Sequence, residues 1–397
     1  MAISIAALGV LAMVVIALAF GPTRLVAGDG HYVFAAARSL AYDGDLDLTN
    51  QYWVMGDRWG LGRDPTVDRW RLPAREIGPS LVMVPGLWLH SLVGAGAGWE
   101  PAFACVGAAA SLGLTWLGCV RVIEASGAKL DPRTVELLAG AAVFGFVVPY
   151  YAVSASAYPH ALDAAVGAWL AWALLARRHP ALIGALLGAA ILMRMQNLLW
   201  LLWPAAELVI AKRRALKPAL TRLAVIAAVG ALGFVPQLWL GLAHPGSERG
   251  ALGWTLGFFD LVDYPLDCVR VLFGVHGLIR WTPIAGVALL ALALPADHGE
   301  ARRERAASFA VLVGLWLLLA SVRDVDGGDA FGARRLAGVV GLLALGLGRL
   351  PGLSGRAWAK VWPVALAALV GINLVQTGRA IAGELSLASA TAVRGQR

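Results

Sequence analysis

Apolar residues in this chain come in long runs separated by short polar breaks, with little of the alternation that marks half-buried strands. Residues 2–20 carry no charge, and further apolar runs lie at roughly 77–98, 101–120, 134–153, 161–176, 181–193, 195–211, 219–242, 282–295, 307–322, 334–348 and 358–376. About 20 apolar helical residues cross a hydrocarbon core ~30 Å thick. The pattern therefore predicts an all-α fold, a polytopic transmembrane bundle of about 11 spans with juxtamembrane helices in a large first extracytoplasmic loop. The whole chain, 1–397, reads as one integral membrane domain: a first span at 1–20, the first outer loop at 21–98, the remaining spans at 101–376 and a tail at 377–397. The first run has no basic flank and no small-residue cleavage site, so it reads as an uncleaved span.

Short basic loops orient the bundle. Arg121/Lys129/Arg133, Arg177/Arg178, Lys212/Arg213/Arg214/Lys217, Arg302/Arg303/Arg305 and Arg349/Arg356/Lys360 fall between runs and should all be cytoplasmic. They can share one side only if 77–98 does not cross. Its Gly78, Pro79, Pro85 and Gly86 are poor helix-interior residues, as expected of a segment that dips into or lies along the outer leaflet. The same parity makes 181–211 go up and return, with Arg194-Met195-Gln196-Asn197 at the apex. A single long tilted span with Arg194 snorkelling is the alternative. A charged residue at that depth needs a partner or a polar cavity, which makes Arg194 a functional candidate.

Composition agrees with a membrane protein: 59% hydrophobic residues, a mean hydropathy of +0.70 and 15% charged residues lie outside the soluble range. The net charge of +8 is accounted for by the loops, and no basic patch suits a nucleic acid. Cys105, Cys119 and Cys268 are too scattered for a disulfide framework and read as packing residues. The 16 Trp suit interfacial belts, as do Trp53, Trp59 and Trp70 interleaved with Arg58, Arg63, Arg69 and Arg71.

Four polar features then fall on the outer side. They are Gly28-Asp29-Gly30 with the acids Asp43, Asp45 and Asp47 downstream; the turn Ser154–His160 with Asp163 beyond it; the loop 243–281 ending in His276 and Arg280; and the segment Arg323–Arg335, which holds Asp326, Asp329 and Arg334. Arginines at headgroup depth bind phosphate, and a carboxylate beside them can take a proton from a hydroxyl. That set fits transfer of a group from a lipid-phosphate carrier, with phosphate as the leaving group.

In the order of its motifs the chain resembles the C-type glycosyltransferase superfamily, integral membrane enzymes that use polyprenyl-phosphate-linked sugars. The resemblance rests on Asp29 after the first span, the string Ala37–Leu40 through Asp43–Asp47 and Asn50, Tyr158-Pro159, Arg194-x-Gln196, the His276-Gly277-Leu278 to Trp281-Thr282-Pro283 segment, and the glycine-rich stretch from Gly327 to Arg335. It implies a bacterial cytoplasmic-membrane enzyme with its active site facing the extracytoplasmic side. The implied partners are a polyprenyl-phosphate-linked sugar donor, a lipid, glycan or protein acceptor, and membrane lipids. It implies Asp29 as general base, with Tyr158, His160, Arg194, Gln196, His276, Arg280, Asp329 and Arg334 as substrate-binding candidates.

Many members carry an Asp-Glu pair where Gly30 follows Asp29 here, and His160 stands where relatives often have an acid. No metal or other cofactor is therefore assigned, and His160 is left to bind donor phosphate as an imidazolium or to orient Asp29. Plainer roles compete at each position. Asp29 can be the N-cap of the helix beginning at Gly30. Asp43-x-Asp45-x-Asp47 suits a turn with solvated carboxylates. His160 and His276 can be interfacial, Arg280 and Arg334 can meet ordinary lipid headgroups, and Asp326 and Asp329 can neutralise Arg334 and Arg335. A lipid-linked saccharide flippase or transporter, and a polysaccharide polymerase or ligase, are the competing function classes.

Overall fold

The computed structural model describes residues 1–56, 75–210, 216–243, 259–294, 299–322, 325, 330–353 and 356–385. These are 81% helical and form no strand. In chain order the helices are α1 (Ala2–Phe20), α2 (Gly30–Arg38), α3 (Thr49–Met55), α4 (Gly78–Val93), α5 (Glu100–Ala125), α6 (Pro132–Phe144), α7 (Val148–Val153), α8 (His160–Leu175), α9 (Pro180–Met193), α10 (Leu202–Ile210), α11 (Leu216–Ala243), α12 (Tyr264–Phe273), α13 (Leu278–Trp281), α14 (Pro283–Ala293), α15 (Gly299–Ala320), α16 (Val340–Leu347) and α17 (Arg356–Ile381). Short 3-10 turns at Met195–Leu201 and Arg334–Val339 precede α10 and α16.

Among the described residues five helical stretches are long and apolar enough to cross a membrane: Ala2–Phe20, Ala97–Ala125, Leu216–Trp239, Arg334–Gly352 and Val361–Ile381. A sixth results if Tyr264–Trp281 and Pro283–Ala293, bent by 102°, are one broken span. By length and composition, then, five or six spans stand where the apolar runs count about 11. The difference lies in helix continuity. The run at 134–153 is two helices that part around Gly145, and 161–176, 181–193 and 195–211 are apolar helices of fewer than 18 residues.

Burial sorts the long helices into a core and a rim. The spans starting at Ala97 and Arg334 are mostly buried, whereas α1, α11 and α17 turn apolar side chains such as Leu18, Leu232 and Val364 outward. An all-round apolar helix exposed in this way suits lipid as its neighbour. At the centre α5, α8 and α16 meet through small residues. A Cβ on Gly167 of α8 would run into the carbonyl oxygen of Gly338, and Gly341 packs on Ala168 and Ala171. That closeness brings the 3-10 turn at Arg334 against the start of α8.

α1 and α5 are antiparallel neighbours, with Gly9 facing Ala109 and Gly113 facing Ala2 and Ala6. The chain between them, 21–99, thus leaves and returns at the same end of the bundle. Within it α4 is a continuous helix rather than the irregular segment its composition suggests. Pro79 stands in its first turn, Pro85 is accommodated inside, and a Cβ on Gly86 would collide with the backbone of Phe103. Gly86 thus serves close packing on α5, and Gly78 lies as close to the Leu192 carbonyl at the end of α9. At the same end the Arg24 guanidinium donates to the carbonyls of Ala380 (3.2 Å) and Ile381 (2.8 Å), capping α17, which continues past the expected boundary at Thr377. Lys212–Arg214 and the end of the tail lie outside the described residues.

Close approach at Gly167 has a measurable consequence. Gly167→Ala should lower stability by ~1–3 kcal/mol through overpacking, read as a reduced Tm of the detergent-solubilised protein, whereas Gly352→Ala, with open space around it, should not.

Candidate functional site

The first polar stretch enters the site through a tight turn. Gly28 has φ +54°, and a Cβ there would coincide with the Tyr158 hydroxyl. Only glycine fits both the backbone and the space. The Asp29 N–H donates to the Tyr158 hydroxyl (3.1 Å), and the Ala157 N–H donates to the Leu25 carbonyl (2.9 Å), so the first two polar features bond directly to each other.

Asp29 stands at the N-cap position of α2, yet its side chain makes no capping hydrogen bond. The carboxylate turns away from the helix. Oδ1 accepts from Arg75 Nη2 at 2.7 Å and Oδ2 from Arg334 Nη2 at 3.3 Å. Side-chain exposure falls from 38% at Arg75 through 26% at Asp29 to 9% at Arg334, so the pair of contacts runs from the mouth of the site inward. Burial alone would raise the Asp29 carboxyl; the charges of Arg75 and Arg334, the hydrogen bond from Arg75 and the charge of Arg335 outweigh it and hold the group below its ordinary value near 3.8. The Arg334 guanidinium also lies over the Tyr158 ring, 4.9 Å from its centroid.

A second layer sits beneath. α9 ends where Arg194 takes an extended conformation (φ −156°, ψ 122°), at the expected apex. Arg194 Nη1 is 2.8 Å from His160 Nδ1, and its Nη2 donates to Gln196 Oε1 at 3.2 Å. A guanidinium only donates, so Nδ1 is the acceptor and the ring is neutral with its proton on Nε2. In this arrangement His160 is a neutral acceptor of Arg194, which differs from both expected roles, an imidazolium on donor phosphate or a partner of Asp29. His160 does not touch Asp29; its ring stacks on Tyr158 (5.5 Å, 22°). Gln196 in turn donates to the Arg335 carbonyl. Asn197 Nδ2 donates to Asp163 Oδ1 (2.6 Å) and to the Ala190 carbonyl (2.8 Å), tying the break in α9 to α8. The Met195 N–H donates to Glu76 (3.3 Å).

Asp29, Tyr158, His160, Arg194, Gln196 and Arg334 are thus gathered at one end of the bundle. His276, buried, lines a small adjoining cleft with Arg270, Arg334 and Arg335. Arg280 is exposed and stays outside this set. Asp329 and Asp326 lie outside the described residues, as do Arg58, Arg63, Arg69, Arg71, Trp59 and Trp70. Asp43, Asp45 and Asp47 are spent locally: Asp43 accepts from Asn50 and Gln51, Asp45 from Ser39 and the Asp47 N–H, and Asp47 from the Thr49 N–H. Among the described residues no group of three or more His, Cys, Asp or Glu is placed to hold a metal ion.

Arg75, Glu76 and Asn197 belong to the cluster without having been singled out as site residues. Arg75 closes a basic and aromatic stretch that reads as interfacial, and its partner is 46 residues away. The one available signal is its position immediately before Glu76 and the start of α4.

No protein-family model, curated protein or solved structure matches this chain. The chemistry is therefore argued from the cluster itself. It can hold an anion on guanidiniums drawn from three separate segments, with one carboxylate between them.

Two outcomes follow from the Asp29 turn. Gly28→Ala should destabilise by ~1–3 kcal/mol, from the positive φ and the clash with Tyr158, seen as a lower Tm. The Asp29 ion pairs contribute stability that is full above the ordinary carboxylate value and is lost as pH falls through the lower folded value. In acid titration below about pH 5, Asp29→Asn should therefore lose less of its own stability than the unaltered protein.

Proposed function

We propose that this chain is a membrane glycosyltransferase that moves a sugar from a polyprenyl-phosphate carrier to an acceptor hydroxyl on the extracytoplasmic side of a bacterial cytoplasmic membrane, in a bundle of about 11 spans. The observation that carries the reading is the Asp29 carboxylate set between Arg75 and Arg334, with Arg194 beneath, at the end of an apolar bundle. The motif order resembling the C-type glycosyltransferase superfamily supports the same reading.

In the reaction, the acceptor oxygen bonds to the anomeric carbon while its proton passes to Asp29. The bond between that carbon and the phosphate oxygen breaks, and the electron pair leaves on the phosphate. Arg334 and Arg75 stabilise the charge that develops there, as donors do when placed where charge appears. Tyr158 fixes the Asp29 backbone, and His160 and Gln196 hold Arg194 in place. His276 lines the approach to Arg334, and Asp329 and Arg280 are the remaining substrate-binding candidates.

The test supplies a polyprenyl-phosphate hexose, labelled in the sugar, to membranes containing the chain. Label should enter an acceptor fraction above the level of membranes lacking the chain, and Asp29→Asn should reduce this by at least ~100-fold. Equal transfer by both forms removes Asp29 from the base role, and no transfer above background removes the enzymatic reading.

A further inference from the structure

The Asp29 carboxylate is held in a way that matters beyond proton transfer. Each oxygen meets one nitrogen of a different guanidinium, Arg75 at 2.7 Å and Arg334 at 3.3 Å. This is a bridge between two arginines, and neither makes the two-point fork that guanidinium and carboxylate favour. Arg75 Nε is closed off from solvent and has no hydrogen-bond partner among the described residues. The Asp29 side chain is a quarter exposed, so the bridge stands at the mouth.

Further arginines lie around the same position. Arg335 acts on the Asp29 position with Arg75 and Arg334, and Arg194 lies close enough to sense both Asp29 and Arg334. Among the described residues Glu76 and Asp163 also face these arginines, and each has a structural engagement of its own, with the Met195 N–H and with Asn197. Carboxylate and phosphate oxygens suit the same guanidinium donors, and phosphate offers more of them.

We propose that Asp29 is a built-in occupant of an anion site made by Arg75 and Arg334, and that the phosphate of a lipid phosphate takes its place on the two guanidiniums. Release of Asp29 as a working base rests on the glycosyltransferase reading; the exchange of one anion for another does not. A carboxylate clamped by two cations is a poor proton acceptor, and one displaced by phosphate is a better one. The base is then available only once a phosphate is seated. Arg75 is in this account a phosphate-binding residue at the mouth, which gives up the carboxylate as the phosphate arrives.

The experiment measures calorimetric binding of farnesyl phosphate to the purified full-length chain in detergent, with inorganic phosphate and farnesol as separate arms. Removing the internal competitor should strengthen binding: Asp29→Asn should tighten the Kd for farnesyl phosphate by about tenfold. Arg75→Gln should weaken it by a similar factor, and Arg75→Lys should recover part of the loss. Tightening seen with inorganic phosphate too supports a site for phosphate as such; tightening confined to farnesyl phosphate supports a lipid-phosphate site. An unchanged or weaker Kd in a folded Asp29→Asn protein overturns the exchange, as does equal tightening toward farnesol. If Asp29→Asn does not fold, Arg75→Gln decides, because unaltered binding in that protein also overturns the exchange. No sugar is present, so a negative transfer assay beside a positive exchange defeats the transferase reading alone.

Discussion

A guanidinium carried to the end of an apolar helical bundle must bring its acceptors with it. The desolvation cost of an unpartnered charge is several kcal/mol, and no lipid tail can offset it. Most of the irregular backbone here answers to that constraint. α9 stops at Arg194 because the side chain has to reach His160 Nδ1 and Gln196. The α16 span opens with a 3-10 turn that delivers Arg334 to Asp29 and the Arg335 carbonyl to Gln196. Broken helices of this kind are tolerated at membrane depth where protein or a cavity surrounds them. The polar groups and the breaks are one feature.

What lets the pieces come so close is the absence of side chains. Gly28 leaves room for the Tyr158 hydroxyl, Gly167 for the Gly338 carbonyl, and Gly338 for the Asp163 carboxyl. Through these contacts the first outer stretch, the start of α8, the end of α9 and the start of the α16 span share one small volume. A methyl group at any of them would push apart elements whose polar atoms bond at 2.6 to 3.3 Å.

Much of this was legible in the residues alone, and for physical reasons. Asp29 stood out because an acid directly after an uncharged run of span length has few cheap explanations. Arg194 stood out because an arginine between two short apolar runs must find a partner. Their companions Tyr158, His160 and Gln196 came in with the motifs of the family resemblance, and the structure brings them together with Asp29 and Arg194. Arg75 was not, since an arginine closing a Trp/Arg stretch is already explained by the interface, and its contact with Asp29 is a tertiary event. The glycines were misread in kind: in α4 they look like helix breakers, yet Gly86 is where the helix backbone meets α5. The expected count of about 11 spans and the five or six helices that pass by length and composition differ for a related reason. Hydropathy registers apolar length, whereas Gly145, the Pro149 turn and the extended Arg194 divide apolar length into separate helices.

The placement of polarity bears on the choice between group transfer and transport. A transporter's site is expected near the bilayer midplane, between related halves, with a route that opens to either side. Here the charged groups occupy helix termini: the start of α8, the end of α9 and the start of the α16 span. Beyond Asp163, the inward positions of α8 are Ala164, Ala168 and Ala171, all buried, with Ala168 against Gly118 and Gly341. Small residues packed that tightly close the seam directly beneath the cluster. Under the proposed transferase reading, a substrate reaching Asp29 arrives from the same end at which it leaves, as a lipid-borne donor and its product would. Gly338, at the head of the same seam, lies against both the Asp163 carboxyl and the Asn197 side chain, so opening the seam would disturb the pair that ties the end of α9 to α8.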